Sequence, residues 1–431
     1  MELFFEIFFM IKINKHISQL KPSATLAINQ NVKKLREDGE TVFHFGFGQS
    51  PFPIHKSIVG ALKENVKQSH YLSTTGLYDL RVQIAGFLKK HQDVDANWEH
   101  VFIGPGSKEL LYQTILIFEG TFLIPKGSWV SYLPQIHSKD GKHAILETDL
   151  KHNFKLIPEV LETYCKQHSN EQNILILNSP NNPTGAVYSN QELQAIAKVC
   201  KAYNIIVMSD EIYSQVNFKK DFSPSISKYY PEKTIVFGGL SKVFSAGGYR
   251  LGFMYLPKDL QQLDNVYRSL FSETFSAVAT PIQYAAIKAY KMKPKLKKHI
   301  KKSNSVLKAI SSYVYSELAA VNIQCTTPQG AFYMMIGFNG FKKQINALGI
   351  FTSISLAKHL LNKYCVALLP GSDFYFKEED LFFRLAFVDF NGKKALNGIE
   401  KKGNIEDTFV QNYCPNVYNG IEKLKLFVKS L

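Results

Sequence analysis

The chain is poor in the residues that build sulfur, metal and membrane sites. Its five cysteines, Cys165, Cys200, Cys325, Cys365 and Cys414, are scattered with no CxxC pair. That excludes a disulfide framework and suits a reducing compartment. No cluster of histidine, cysteine and carboxylate has ligand spacing, so no metal is expected. Internal repeats are absent, and no apolar run approaches the length of a bilayer span. Met1 to Ile13 is rich in phenylalanine and isoleucine, but Glu2 and Glu6 interrupt it and a basic leader is missing. A weak anchor and a start at Met10 are the alternatives there; a cytoplasmic protein without a membrane partner is the expectation. Arginine is missing from the lysine run between Lys288 and Lys302, where Pro294 sits in a helical stretch and Tyr290 is the lone aromatic. Base stacking and bidentate readout therefore lack support, and the run reads as a solvated helix with no nucleic-acid partner.

What is present is a large core. With 431 residues, 45% of them hydrophobic, the chain has material for two domains. A formal charge of +15 suits anionic partners, phosphorylated cofactors and carboxylate substrates among them. The apolar run Thr234 to Phe237 reads as a buried strand, and it leads into Gly238-Gly239-Leu240-Ser241-Lys242-Val243-Phe244 and then Gly248-Tyr249-Arg250-Leu251-Gly252. A lysine at the end of a buried strand is a carbonyl-reactive amine, because desolvation disfavours its ammonium form. Ahead of it, Ile174 to Leu177 ends in Asn178-Ser179-Pro180-Asn181-Asn182-Pro183-Thr184-Gly185, where two prolines restrict the backbone and hold the Asn182 amide rigidly. A helix over 191–203 returns to Ile205 to Tyr213, a strand–helix–strand unit implying a parallel sheet. Asp210 stands at that strand's carboxyl end, where ligands of such sheets bind. A carboxylate there wants a cationic partner.

Three further segments supply anion and ring contacts. Val101 to Leu111 is a short strand, a Gly-Pro-Gly turn and a helix start, so Gly106, Ser107 and Lys108 form a candidate phosphate cradle. The order Gly-Ser-Lys does not match a nucleotide P-loop. Trp129, one of two tryptophans, offers a rigid face for stacking in Trp129-Val130-Ser131-Tyr132. Arg384 lies in the apolar run Phe382 to Phe387, and a guanidinium there calls for a carboxylate, from substrate or from an ion pair.

Taken together, Ser-Lys-x-Phe with Gly-x-Arg-x-Gly, Asn-Pro-Thr-Gly and Asp-x-x-Tyr resemble the class I/II aminotransferases dependent on pyridoxal 5′-phosphate (PLP), from about Leu20 onward. The resemblance implies an α/β protein of fold type I. Its large domain has a mixed, mostly parallel sheet, and its smaller domain is α+β. It implies an extension over 1–19, an N-terminal arm over 20–50, a large cofactor domain over 51–300 and a small domain over 301–431. Lys242 would carry the cofactor as a Schiff base and shuttle the proton, with Asp210 on the ring nitrogen and Tyr213 and Asn182 on the phenolic oxygen. Ser107, Lys108, Ser241 and Arg250 would hold the phosphate beside Gly106, and Trp129 would stack on the ring. Gly48, in Gly46 to Pro53, and Arg384 would fix the substrate α-carboxylate. Tyr71, in Tyr71-Leu72-Ser73-Thr74-Thr75-Gly76, would reach the phosphate of a partner subunit in a homodimer. Gly239 stands where many relatives place a phosphate-binding hydroxyl. The expected reaction is amino transfer from an L-amino acid to a 2-oxo acid. The rivals are a lyase or decarboxylase on the same scaffold and a non-catalytic PLP-binding regulator. Residues 393–418 read as a polar insertion without a motif.

Overall fold

The structure is a computed structural model that describes residues 12–22, 24–402 and 408–431. The stretch expected to be an N-terminal extension therefore lies outside the described residues over 1–11. Seven short apolar runs form the main sheet: β1 (Val101–Gly104), β2 (Thr121–Pro125), β3 (Lys142–Leu146), β4 (Asn173–Asn178), β5 (Ile206–Asp210), β6 (Thr234–Gly239) and β7 (Gly252–Tyr255). Their spatial order is β1-β7-β6-β5-β4-β2-β3. Neighbours are parallel except β7, which runs antiparallel to both β1 and β6. Six of the seven are buried along their whole length, as strands covered by helices on both faces are. The exception, β3, exposes Lys142 and His143 at the sheet edge, where charge discourages pairing with another chain. This is the α/β architecture that the motifs imply.

A second, antiparallel sheet carries β8 (Gln324–Cys325), β9 (Tyr333–Gly337), β10 (Leu369–Pro370) and β11 (Phe382–Ala386) in the order β10-β11-β9-β8. Its core also takes Phe43 and Phe45 from the N-terminal arm and Phe52 just beyond it. The N-terminal arm forms one short strand, Phe43–His44, paired in parallel with Val366–Ala367. Beyond it Phe45 hydrogen-bonds Ala367 and Ala386 across two elements, after which the chain opens towards the site.

The helix Pro294–Ala319 joins the two cores. Leu296 and Ile300 pack with the residues behind β1, whereas Val306, Leu307, Ile310, Val314 and Leu318 pack with the antiparallel sheet. The expected boundary at 300/301 falls within this one helix. Pro294 is not inside a longer helix, as the lysine run suggested. The preceding helix, Thr280–Tyr290, has already ended, and Pro294 takes the first helical position, where its missing N–H has no partner to lose.

The stretch read as a polar insertion is likewise corrected. It contains the helices Gly392–Lys402 and Phe409–Tyr413 and the start of Pro415–Lys429, with residues 403–407 outside the described residues. Val417, Ile421, Leu424 and Phe427 recur at helical spacing and are buried against the second core. Among the described residues no helix is long and apolar enough to cross a membrane.

Candidate active site

The carboxyl ends of β4, β5 and β6 converge on a cavity of about 420 Å³ between the two cores. Asn178 and Asp210 are the last residues of neighbouring strands, and Lys242 follows β6 by three residues. Asn178 clamps the junction: its Nδ2 donates to the Asp210 carbonyl at 2.7 Å, and its Oδ1 accepts from the Asn182 N–H at 2.8 Å. The Asn-Pro-Thr-Gly turn, with cis bonds before Pro180 and Pro183, is thereby tied to the Asp210 strand end.

Asp210 is 4% exposed. Tyr132 donates to its Oδ2 at 2.7 Å and the Ile212 N–H to its Oδ1 at 3.3 Å. Burial raises its pKa from 3.8 to about 6, partly offset by these hydrogen bonds and the Lys242 charge. Two donors and a nearby cation have not overcome desolvation, so the carboxylate still favours a closer positive partner.

Lys242 Nζ donates to the Gly48 carbonyl at 2.8 Å and lies 5.8 Å from the Tyr213 ring centre. A Cβ at Gly48 would come within 2.0 Å of the Tyr333 hydroxyl, so only glycine lets the arm's backbone approach here. Tyr333 and Tyr213 share a hydrogen bond at 2.9 Å. Burial, followed by Tyr333, pushes the Tyr213 phenol well above its ordinary pKa, so it acts as a neutral donor.

Arg384 is 1% exposed, on β11 at the cavity wall. Its guanidinium donates to Asn182 Oδ1 at 3.1 Å and to the Gly46 carbonyl at 2.5 Å, and it stacks over the Tyr333 and Phe374 rings. Its Nε finds no partner, and among the described residues no carboxylate is in ion-pair contact with it, although Asp373 is near enough for each to act on the other's charge.

Across the cavity, Gly106 adopts φ 91° just before the helix Ser107–Ile117, and a Cβ there would lie 2.4 Å from Arg250 Nη2. Arg250, itself at φ 48°, donates to the Pro105 and Gly247 carbonyls and approaches Ser241 Oγ at 3.5 Å. Lys108 shares this corner; burial, then the Arg250 charge, lowers its pKa. Two cations beside a helix N-terminus form an anion site. At Gly239 a Cβ would press on the Leu251 carbonyl at 2.8 Å and Gly252 Cα at 3.0 Å. The hydroxyl missing at 239 therefore has no room, and Ser241 is the hydroxyl that the loop offers. Trp129 is half-buried, edge-on to Tyr132, with Lys108 Nζ 5.4 Å from its ring centre.

The cavity thus gathers Gly48, Ser107, Lys108, Trp129, Asn182, Asp210, Tyr213, Ser241, Lys242, Arg250 and Arg384, with Gly106 against Arg250. Tyr71 is not among them: it is 95% exposed. Tyr132, Tyr333, Asn178 and Thr25 escaped sequence reasoning. Tyr132 stands in the string already singled out for Trp129, so its hydroxyl was the one available signal. Tyr333 meets Tyr213 and Gly48 across 120 and 285 residues, and Thr25 lines the cavity from the N-terminal arm.

The sequence matches the family model described as aminotransferase class I and II over residues 40–394. It is 30% identical to an aspartate aminotransferase of Bacillus subtilis over 84% of this chain and 92% of that one. It is 29% identical to an asparagine–oxo-acid transaminase of Streptococcus mutans over 91% and 99%. In structure it is similar to an aspartate aminotransferase from Thermus thermophilus with maleate, at TM-score 0.82 and 22% identity, covering 97% of this chain and 100% of that one.

Proposed function

Because the chain belongs to the class I and II aminotransferases, we propose that its transamination runs on acidic substrates at a site shared between two subunits. Proteins of this family use pyridoxal 5′-phosphate, and the chain is a transaminase. The residues present fit that cofactor: a glycine cradle beside Arg250 suits its phosphate, and the buried, desolvated Asp210 suits a protonated ring nitrogen. When bound, it supplies an aldehyde that condenses with amines and a ring that accepts electrons from the substrate α-carbon.

The chain's own residues then do the following. Asp210 would orient the ring through its nitrogen, with Tyr132 fixing the carboxylate. Tyr213 and Asn182 would hydrogen-bond the phenolic oxygen. Arg250, Ser107 and Ser241 would anchor the phosphate, and Trp129 would cover one ring face. Lys242 Nζ takes the proton from the substrate α-carbon and holds it for return. Arg384 binds the α-carboxylate, with the Gly48 backbone closing the pocket beside it. The observation that carries this reading is Arg384, a buried guanidinium with an unpartnered Nε and no carboxylate in ion-pair contact among the described residues, on the same cavity as Lys242. A panel of amino donors with 2-oxoglutarate tests it. Glutamate formation is expected; ammonia release without glutamate would instead point to a lyase, a reading that the named relatives do not favour.

Acidic selectivity rests on Lys108 and Thr25. Lys108, first read as a phosphate ligand, lies over Trp129, and the Thr25 hydroxyl, buried without a partner, lines the same cavity. Together they offer a second carboxylate a cation and a donor. The relative named for aspartate agrees with that class, whereas the one named for asparagine acts on an uncharged side chain. Lys108→Met is expected to lower kcat/KM for aspartate by about 10- to 100-fold relative to alanine, while cofactor retention stays unchanged. Equal losses on both donors with weakened cofactor binding would return Lys108 to the phosphate.

The exposure of Tyr71 supports a role across a subunit boundary. Tyr71→Ala and Lys242→Ala, refolded together, should recover activity above either parent, because one site of the mixed dimer is then wholly wild type. No recovery, with mixed dimers confirmed by mass, would place Tyr71 outside the partner's site. Five free cysteines support a reducing, cytoplasmic setting. The arm, large and small domains expected from the sequence serve as the working division of the chain.

A further inference from the structure

We infer that a second cleft, separate from the cavity above, binds a small polyphosphorylated ligand and reports its presence to the active site. The cleft, about 410 Å³, lies between the segment 215–222 and the first half of the helix Pro294–Ala319. Six lysines line it: Lys219, Lys220, Lys297, Lys298, Lys301 and Lys308. The only carboxylate among its lining residues is Asp221. None of the six forms an ion pair among the described residues, although many lysines elsewhere do. Like charges held around one concavity repel, and an anion of several charges relieves all the pairs at once.

Two features make this more than a charged helix face. The lysines come from two elements, and the Asn217 side chain fixes one set by accepting from the N–H groups of Lys219 and Lys220 at 2.9 and 3.0 Å. Deeper in, Gln215 is 2% exposed and lines the cleft, and its side-chain oxygen has no partner in the protein. An amide whose oxygen bonds nothing gives up no bond there when its NH₂ end turns to an incoming acceptor. Phe218, Phe222 and Ile300 add apolar wall beside the charge. The complement is therefore a compact phosphate chain attached to a flat or apolar body. A long nucleic acid fits less well: arginine is absent from the lining, and the charge is gathered into a hollow instead of a track.

The cleft is wired to the site. Gln215 is two residues from Tyr213, and its carbonyl accepts from Asn304 of the helix at 2.6 Å. Val216 and Phe218 pair through their backbones with Ala331 and Gln329, just ahead of Tyr333. A ligand that draws segment 215–222 onto the helix therefore acts on the turn carrying Tyr213 and on the start of β9, which together hold the Tyr213–Tyr333 hydrogen bond. The coupling to turnover rests on the transaminase reading; the binding does not.

The test uses the cofactor-loaded enzyme, so that its phosphate cup is filled. ATP and inorganic tripolyphosphate are titrated by calorimetry at fixed ionic strength, with sulfate as the control and a 20-nucleotide single-stranded DNA as the rival. Saturable binding of ATP and tripolyphosphate is expected, with ATP tighter if the apolar wall takes part and sulfate at least tenfold weaker. Lys297→Gln/Lys301→Gln/Lys308→Gln should weaken both about tenfold or more while basal activity is unchanged. ATP should alter kcat at saturating substrate by at least twofold in the wild type and not in the triple variant. Binding equal to that of sulfate, binding untouched by the triple change, or tighter binding of the DNA would overturn the site. Binding without any change in kcat would overturn its link to Tyr213.

Discussion

Lys242→Ala is expected to give a folded protein with no absorbance band of covalently held cofactor and turnover reduced by at least ~10³-fold. The fold should survive because the lysine's one hydrogen bond goes to the Gly48 carbonyl, which the Tyr333 hydroxyl also reaches at 3.3 Å. Removing the amine therefore leaves that acceptor with a partner, and the stability cost should stay within about 1 kcal/mol. The activity loss should be far larger, because the amine has two jobs that no neighbour shares. In the proposed mechanism it is the group that holds the cofactor and the base beside the substrate α-carbon. Tyr213 stands near enough to be considered as a substitute base. Its phenol, however, is pushed well above the ordinary range by burial and by Tyr333, so at neutral pH it donates and does not accept. Added methylamine should restore part of the turnover, since it can occupy the space left by the side chain. Near-wild-type rates in the variant would remove Lys242 from the chemistry altogether.

The parts of this site that could be read from the sequence are those where backbone geometry dictates residue type. A glycine at 106 that admits Arg250, a glycine at 48 that admits Tyr333, and two prolines framing Asn182 leave marks on the chain itself. Asp210 was legible because it ends an apolar run and Lys242 because it follows one within a few residues, and the end of a parallel strand is where a ligand sits. Tyr132, Asn178 and Tyr333 were not, since nothing local separates a tyrosine that touches Asp210 from one that fills a core. Their roles come from pairings across 78, 32 and 120 residues. The lysine run shows the same limit from the other side. Read alone it is a solvated helix, and only the fold brings Lys219 and Lys220 to face it. The C-terminal helices were overlooked for a different reason. Their apolar positions are spaced widely among lysines and asparagines, so composition hid a periodicity that Val417, Ile421, Leu424 and Phe427 in fact carry.

Asp210→Asn should lower kcat by about 10²- to 10⁴-fold while the protein still takes up cofactor. The carboxylate's proposed partner is the protonated ring nitrogen, and an amide cannot keep that proton in place, so the ring loses most of its pull on the α-carbon's electrons. Phosphate, ring-face and phenolic contacts remain, which is why occupancy should suffer less than rate. A pH experiment separates this role from a merely structural one. Burial raises the Asp210 pKa from 3.8 to about 6. A carboxyl raised on folding costs the fold nothing when protonated, and its cost grows as pH climbs from about 4 through 6. Above that window a shift of this size corresponds to about 3 kcal/mol at most. A cation placed against the carboxylate offsets that cost. The gain in thermal stability from bound cofactor should therefore be larger at pH 8 than at pH 5 in the wild type. In Asp210→Asn, where nothing titrates at this position, the difference should largely vanish. If the variant keeps the wild-type pH dependence and loses only cofactor affinity, Asp210 is a structural residue of the strand end, and the electron-withdrawing role falls to another group.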